Sequence, residues 1–248
     1  MTIPYCAEHV PHVSTSQMVE VDRLMIEEYR IELMQMMENA GRNLAHLARV
    51  RFLDSDPRGK KVAVAAGAGG NGGGALVCAR RLSNWGADVR VVVTQTDDWF
   101  RPVPGRQLAI VRRLGPTVVQ AEELEELAGV GFDLVVDGII GYSLSGAPAG
   151  VAAQLIRWAN ESGAPILALD VPSGLDTTSG AVYDPAIRAT ATMTLALPKL
   201  GLEAPDAEAY VGELYLADIS VPPALYSEPS LGIVVGQLFA ESDIVRLA

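Results

Sequence analysis

Two carboxylates stand where buried strands should end. Asp137 follows Leu134-Val-Val136 and Asp170 follows Ile166-Leu-Ala-Leu169, and strand ends in an open α/β sheet face the ligand crevice. Either aspartate alone could cap a loop; together with the glycine-rich run after the first strand they read as site residues. Ser173, three residues after Asp170 in a Pro-Ser-Gly turn, is a turn residue or an oxygen ligand. Lys199 follows Pro198 at the end of an apolar stretch, and reads as a surface lysine or as a second ionisable group of a site.

The run Gly67-Ala-Gly-Gly-Asn-Gly-Gly-Gly74 carries six glycines in eight positions, between a strand-like and a helix-like segment. Glycines there let the backbone approach a ligand and leave helix-terminal N–H groups pointing at it, which makes an anion site. The plainer alternative is a flexible connection. In a helix each glycine would cost about 1 kcal/mol against Ala, so something should require them. Gly67, Gly69 and Gly72 satisfy G-x-G-x-x-G, but the second strand ends Val93-Thr94 without the acidic residue of a dinucleotide-binding dehydrogenase. No Lys-Ser or Lys-Thr follows the glycines, which excludes a Walker A loop.

The elements that must position these groups follow from periodicity. Ser14, Thr15 and Ser16 offer N-caps for a helix with Met18, Val21 and Met25 on one face, and a second helix repeats Met37, Ala40, Leu44 and Leu47 before Asp54 to Gly59 ends it. Strands are expected at 61–66, 89–94, 117–119, 133–137, 165–169, 191–197 and 213–217, and helices at 76–84, 107–114 and 151–160, with no long helix in the last third. The alternation predicts an α/β fold, Rossmann-like and doubly wound, with a mostly parallel sheet and helices on both faces. No repeat or linker divides residues 1–248, so a single domain is expected.

Composition narrows the partners. A formal charge of -11 with no basic cluster argues against nucleic acid. No window approaches about 18 apolar residues and no basic flank precedes an apolar run, so neither a membrane span nor a signal peptide is expected. Two cysteines, Cys6 and Cys78, make neither a disulfide framework nor a zinc site, which favours a reducing, cytoplasmic setting. His9 and His12 lie in an extended or frayed terminus and His46 on a solvated helix face, so the histidines form no metal set.

Several segments together resemble the NAD(P)H-hydrate epimerase family, the YjeF N-terminal domain. Met36-Met-Glu-Asn-Ala-Gly41 is similar to its L-M-E-x-A-G helix, and Gly67 to Val77 to its G-P-G-N-N-G-G-D-G-L-V loop. Asp137 to Leu144 resembles D-x-x-F-G-x-x-x, Asp170 to Asp176 matches D-x-P-S-G-L-D, and Ala196 to Leu202 resembles A-P-K-x-G-L. These run in family order across nearly the whole chain. The resemblance implies epimerisation at C6 of NADHX or NADPHX, the hydrated and inactive reduced cofactors. It implies potassium as the bound ion, with Asn71, Asp137 and Ser173 as ligands. It implies substrate contacts at Gly70, Asn71, Gly72, Gly73 and Gly74, at Gly141, Tyr142, Ser143, Leu144, Ser145, Gly146 and Ala147, and at Asp170.

On that reading Asp170 is the general acid/base, with Lys199 as proton donor or electrostatic partner. The companion dehydratase domain is expected to be a separate protein. A homodimer through the methionine-rich N-terminal helices is also expected. The family's first Asn and its Asp in the glycine loop are Gly70 and Gly74 here, and its Phe is Ile140. The first two departures leave open an alternative, a nucleotide-binding sensor or scaffold without turnover.

Overall fold

Lys61–Ala66 is apolar on both faces, and it becomes the strand around which the chain is wound. In the computed structural model, which describes residues 3–6 and 9–247, this segment is β1. On one side lie β2 (Asp88–Val93) and β3 (Thr117–Gln120). On the other lie β4 (Leu134–Gly138), β5 (Ile166–Leu169), β6 (Ala191–Leu195), β7 (Glu213–Ala217) and β8 (Ile244–Arg246). The order is β3-β2-β1-β4-β5-β6-β7-β8, parallel throughout except for the antiparallel pair β7–β8. The fold is α/β with a mostly parallel sheet, as expected, and the sheet has eight strands.

Alternate residues of β1 supply two cores. Val62, Val64 and Ala66 pack with α2 (Leu33–Phe52), α3 (Gly70–Asn84) and α4 (Pro102–Leu114) through Leu44, Leu47, Leu76, Leu82 and Leu108. Ala63 and Ala65 face Leu155, Ile156 and Ala159 of α5 (Gly150–Glu161). The first helix, α1 (Thr15–Glu27), is capped by Ser14 in a reciprocal capping box with Gln17 and buries Met18, Val21, Leu24 and Met25. Met36 and Met37 of α2 are buried as well. These methionines fill the chain's own core, so they provide no adaptable surface for a dimer.

Four expectations change. α3 begins at Gly70, not at Leu76, so four glycines of the run are helical. α4 begins at Pro102, because proline at the first turn is pre-set for helix. The edge strand β8 was not expected. It pairs with β7, and its Arg246 also bridges Tyr5, so the residues around Tyr5 are pinned to the sheet edge and not frayed. His46 is half-buried beside Arg49, whose Nη2 donates to its Nδ1 at 2.8 Å, not on a solvated face. Among the described residues no group of three or more His, Cys, Asp or Glu could hold a metal, and no helix is long and apolar enough to cross a membrane.

Candidate functional site

The chain leaves β1 towards β2 on one side and returns as β4 on the other. A crevice opens at such a reversal, outside the carboxyl ends of the strands. Here it is a cleft of about 430 Å³ lined by Gly69, Gly70, Asn71 and Gly74 from the glycine run, by Gly141, Tyr142 and Ser143 after β4, and by Asp170 and Lys199. Met18, Asp22 and Ile26 of α1 and Arg101 before α4 complete the wall.

The glycine run divides its labour. Gly69 caps α3, and a Cβ on Gly69 or Gly70 would meet open space. The first helical hydrogen bond is Gly73 N to Gly69 O at 3.1 Å, so the N–H groups of Gly70, Asn71 and Gly72 have no partner within the helix. Free N–H groups at a helix N-terminus are able to receive an anion. Gly72 and Gly73 do not line the cleft. A Cβ on Gly72 would strike the Gly67 carbonyl, and one on Gly73 the Met37 sulfur. Gly73, with Gly41 of α2, whose Cβ would strike Val77, lets α2 and α3 approach closely, whereas Gly72 lets the start of α3 fold back against the Gly67 backbone. Gly74 is buried, and a Cβ there would lie 2.8 Å from Leu169 Cδ2 and 3.8 Å from Ala40.

Asp170 ends β5 with φ at +68°, inside a three-residue turn closed by Val171 N to Leu169 O at 2.9 Å. This γ-turn is the strained form, and a non-glycine residue holds it only where the surroundings over-determine it. They do so here. The backbone N–H of Asp170 donates to Met193 O at 2.8 Å, and its Oδ1 accepts from Lys199 Nζ, from Leu195 N at 3.3 Å and from Thr194 Oγ1 at 3.4 Å. Among the described residues every side-chain hydrogen bond to this carboxylate falls on Oδ1. Oδ2 is left for the cleft.

Lys199 is 0% exposed, far from a surface lysine. Its ammonium also donates to Leu195 O at 2.9 Å and Thr194 Oγ1 at 3.3 Å, which with Asp170 occupies all three donors. The N-terminal segment holds it there, since Val13 N donates to Pro198 O at 2.9 Å and Leu200 N to Val13 O at 3.0 Å.

Asp137 and Ser173 lie behind the cleft wall. Asp137 is fully buried and accepts from Ser173 Oγ at 2.6 Å, Ser173 N at 2.8 Å and Ile139 N at 3.1 Å. Burial with no cation beside it pushes its carboxyl up to about 6, against the pull of those three bonds. Ser173 Oγ in turn accepts from Ile140 N at 2.8 Å. Asn71 packs against Gly141, in the segment that Asp137 and Ser173 anchor, and its Nδ2 is buried without a partner. A buried amide nitrogen without an acceptor is what an Asn turned the other way would leave. With Asn71 Oδ1, Asp137 and Ser173 Oγ the set is all oxygen, which fits a hard cation.

Of the remaining expected contacts, Leu144, Ser145, Gly146 and Ala147 run away from the cleft, with Ser145 and Ala147 exposed. Two charged residues that line the cleft were missed. Arg101 precedes α4 and carries no local signal in the sequence. Asp22 does carry one, because it lies four residues after Met18 and three before Met25, on the apolar face of α1. The Tyr142 hydroxyl donates to Asp22 Oδ2.

The architecture is shared with the crystal structure of yeast YNL200c, at a TM-score of 0.79 and 24% identity, covering 96% of this chain and all of that one. The family described as YjeF-related protein N-terminus matches residues 33–201. The chain belongs to this family. Among curated YjeF-related relatives, an NAD(P)H-hydrate epimerase of Dehalogenimonas lykanthroporepellens is 42% identical over 88% of this chain and 86% of its own. One of Truepera radiovictrix is 35% identical over 88% and 94%. A bifunctional NAD(P)H-hydrate repair enzyme of Moorella thermoacetica is 34% identical, and there the match spans 41% of that protein's length.

Proposed function

We propose that this chain is an NAD(P)H-hydrate epimerase, an isomerase that interconverts the R and S epimers at C6 of NADHX and NADPHX. The observation that carries the reading is the match to stand-alone epimerases along most of both chains, joined to a buried acid–base pair opening on a cleft beside a helix N-terminus. In the hydrate the ring nitrogen lone pair can expel the C6 hydroxyl. Water then re-enters the iminium from either face, or the ring opens and recloses. Either route moves a proton at oxygen.

Asp170 is the group that handles that proton, through the oxygen its partners leave unbound. Lys199, with every donor engaged inside the protein, acts as its counter-charge and clamp and not as a donor to substrate. The N–H groups of Gly70 and Asn71 and the guanidinium of Arg101 receive the phosphates of the nucleotide, and the apolar wall of Met18 and Met36 excludes water from the ring. Potassium, held by Asn71, Asp137 and Ser173, would supply positive charge beneath the phosphate end of the site.

Gly74 does not argue for a sensor or scaffold. Its missing side chain is accounted for by Leu169 and Ala40 packed against it, which removes the main motive for that alternative. The expected homodimer loses the methionine surface on which it was argued, because Met18, Met25, Met36 and Met37 are buried. A separate dehydratase that uses one epimer is the natural partner of an epimerase, in keeping with bifunctional relatives that carry this unit within a longer chain. The test is turnover of separated hydrate epimers by purified protein, with and without potassium. Epimerisation accelerated over the spontaneous rate is expected, and none at all would overturn the reading.

A further inference from the structure

Inverting a carbon that carries its own leaving hydroxyl is a two-face problem. The hydroxyl departs from one face of the ring with a proton, and water returns to the other face and gives a proton up. A single carboxylate beside one face serves half of this. The cleft holds a second carboxylate that the reading above leaves unused.

Asp22 reaches the cleft from α1, whereas Asp170 reaches it from the end of β5. Its neighbours along the helix face, Met18, Val21 and Met25, are buried and apolar, and a carboxylate in such company carries a desolvation cost unless it is held and used. Tyr142 holds it, through the phenolic O–H on Oδ2. Burial pushes the Asp22 carboxyl above its ordinary range and Asp170 adds to this, while the Tyr142 bond and the charge of Lys199 pull it back. Tyr226, on the short helix Pro223–Tyr226, feels the charge of Asp22, and Arg101 acts on Tyr142 from the loop before α4. The two carboxylates therefore differ in kind. Asp170 is tied to an ammonium and Asp22 to a neutral phenol, and two acids in environments this different divide into base and acid.

We propose that Asp22 is the second acid–base residue of the site, serving the ring face opposite the one that Asp170 serves. The proposal rests on the epimerase reading. In one direction Asp22 gives its proton to the C6 hydroxyl as the C–O bond breaks, and the ring nitrogen lone pair forms the C=N bond. Water adds to C6 from the other face, the π electrons return to nitrogen, and the proton of that water passes to Asp170. One water leaves and one enters. The reverse turnover exchanges the roles, and solvent returns the proton between turnovers in the same direction. Asp22 precedes the residues 33–201 matched by the family, so the site is completed from outside that span.

The experiment follows each separated epimer in water enriched in heavy oxygen. Asp22→Asn should lower epimerisation by about 100-fold or more, while the epimer whose hydroxyl faces Asp170 still exchanges its oxygen with solvent. Asp170→Asn should leave exchange in the other epimer instead. Tyr142→Phe keeps the carboxylate but removes the bond that favours its ionised form, so the limb of the pH–rate profile that reports Asp22 should move to higher pH. Epimerisation by Asp22→Asn within about threefold of wild type, or loss of exchange in both epimers, overturns the proposal. If Asp22→Asn does not fold, an unmoved pH profile in Tyr142→Phe overturns it. A wild type without epimerisation or exchange fails the epimerase reading itself, whereas an active wild type beside an equally active Asp22→Asn fails this proposal alone.

Discussion

Asp137 and Asp170 end neighbouring strands of one sheet, both all but inaccessible to water, and they are held by opposite means. Asp170 has a cation of its own. Lys199 sits against Oδ1, and two weak contacts at 3.3 and 3.4 Å complete its shell. Asp137 has none: three neutral donors at 2.6, 2.8 and 3.1 Å surround it, and its carboxyl is pushed up to about 6. A buried carboxylate with an internal counter-ion is ready for proton chemistry. One held only by dipoles is ready for a cation from solution. On the proposed reading the same strand-end position serves two functions, decided by which charge the fold supplies.

The sharpest way to break this contrast is to remove the carboxylate to which the proposal gives the chemistry. Asp170→Asn keeps the shape and the acceptor for Lys199 but cannot exchange a proton, so kcat should fall by about 10²–10⁴ with nearly unchanged affinity. Turnover at the wild-type rate would show that Asp170 only shapes its turn. Removing the cation instead should strike stability. Lys199→Met leaves a buried carboxylate without its partner, and loss of one member of such a pair costs about 3–5 kcal/mol. Denaturant unfolding measures this, and a loss under about 1 kcal/mol would mean that Asp170 is already hydrated from the cleft.

Asp137 should make itself known through pH. Its folded carboxyl lies at about 6 against 3.8 for an ordinary Asp, so the folded state holds the proton more tightly than the unfolded state. Its contribution is then fully present below about pH 4 and lost as pH rises through about 6, by up to about 3 kcal/mol. In potassium-free buffer, thermal unfolding between pH 4 and 7 should show that loss on top of the other carboxylates, and Asp137→Asn should remove it. Added potassium should restore stability above pH 6 in wild type alone. Equal responses in both proteins would separate Asp137 from the ion.

The two aspartates were legible in the sequence because a strand buried on both faces writes itself as an apolar run and the polar residue that ends it stands out. β7 was read at its observed bounds for the same reason. The counter-charge was not legible. Pro198-Lys199 lies 29 residues beyond Asp170, and only the pairing of Val13 with Lys199 across the fold explains why that lysine turns inward. The glycine run was misread at its centre because helix propensity argues locally against glycine, while the close approach of α2 to α3 demands it. β8 escaped because three residues on a sheet edge have no period to read.

The smallest expected difference tests whether each shell is needed in proportion to the charge already present. Ser173 and Thr194 are the hydroxyls on the two carboxylates. Ser173 Oγ donates to Asp137 at 2.6 Å, whereas Thr194 Oγ1 stands 3.4 Å from Asp170 and 3.3 Å from Lys199. A hydrogen bond to a charged group at good distance is worth about 1.5–3 kcal/mol, and distance weakens it steeply. Ser173→Ala should therefore cost about 1–2 kcal/mol and raise the carboxyl of Asp137 further, since the lost bond is one that lowers it. Thr194→Val keeps the shape, and the ion pair satisfies what remains, so about 0.5 kcal/mol or less is expected with turnover unchanged. Unfolding midpoints of the two variants side by side make the comparison. If Thr194→Val proves the costlier, the Asp170–Lys199 pair depends on its neutral shell after all, and the internal cation does not by itself explain why one strand end carries chemistry and the other awaits an ion.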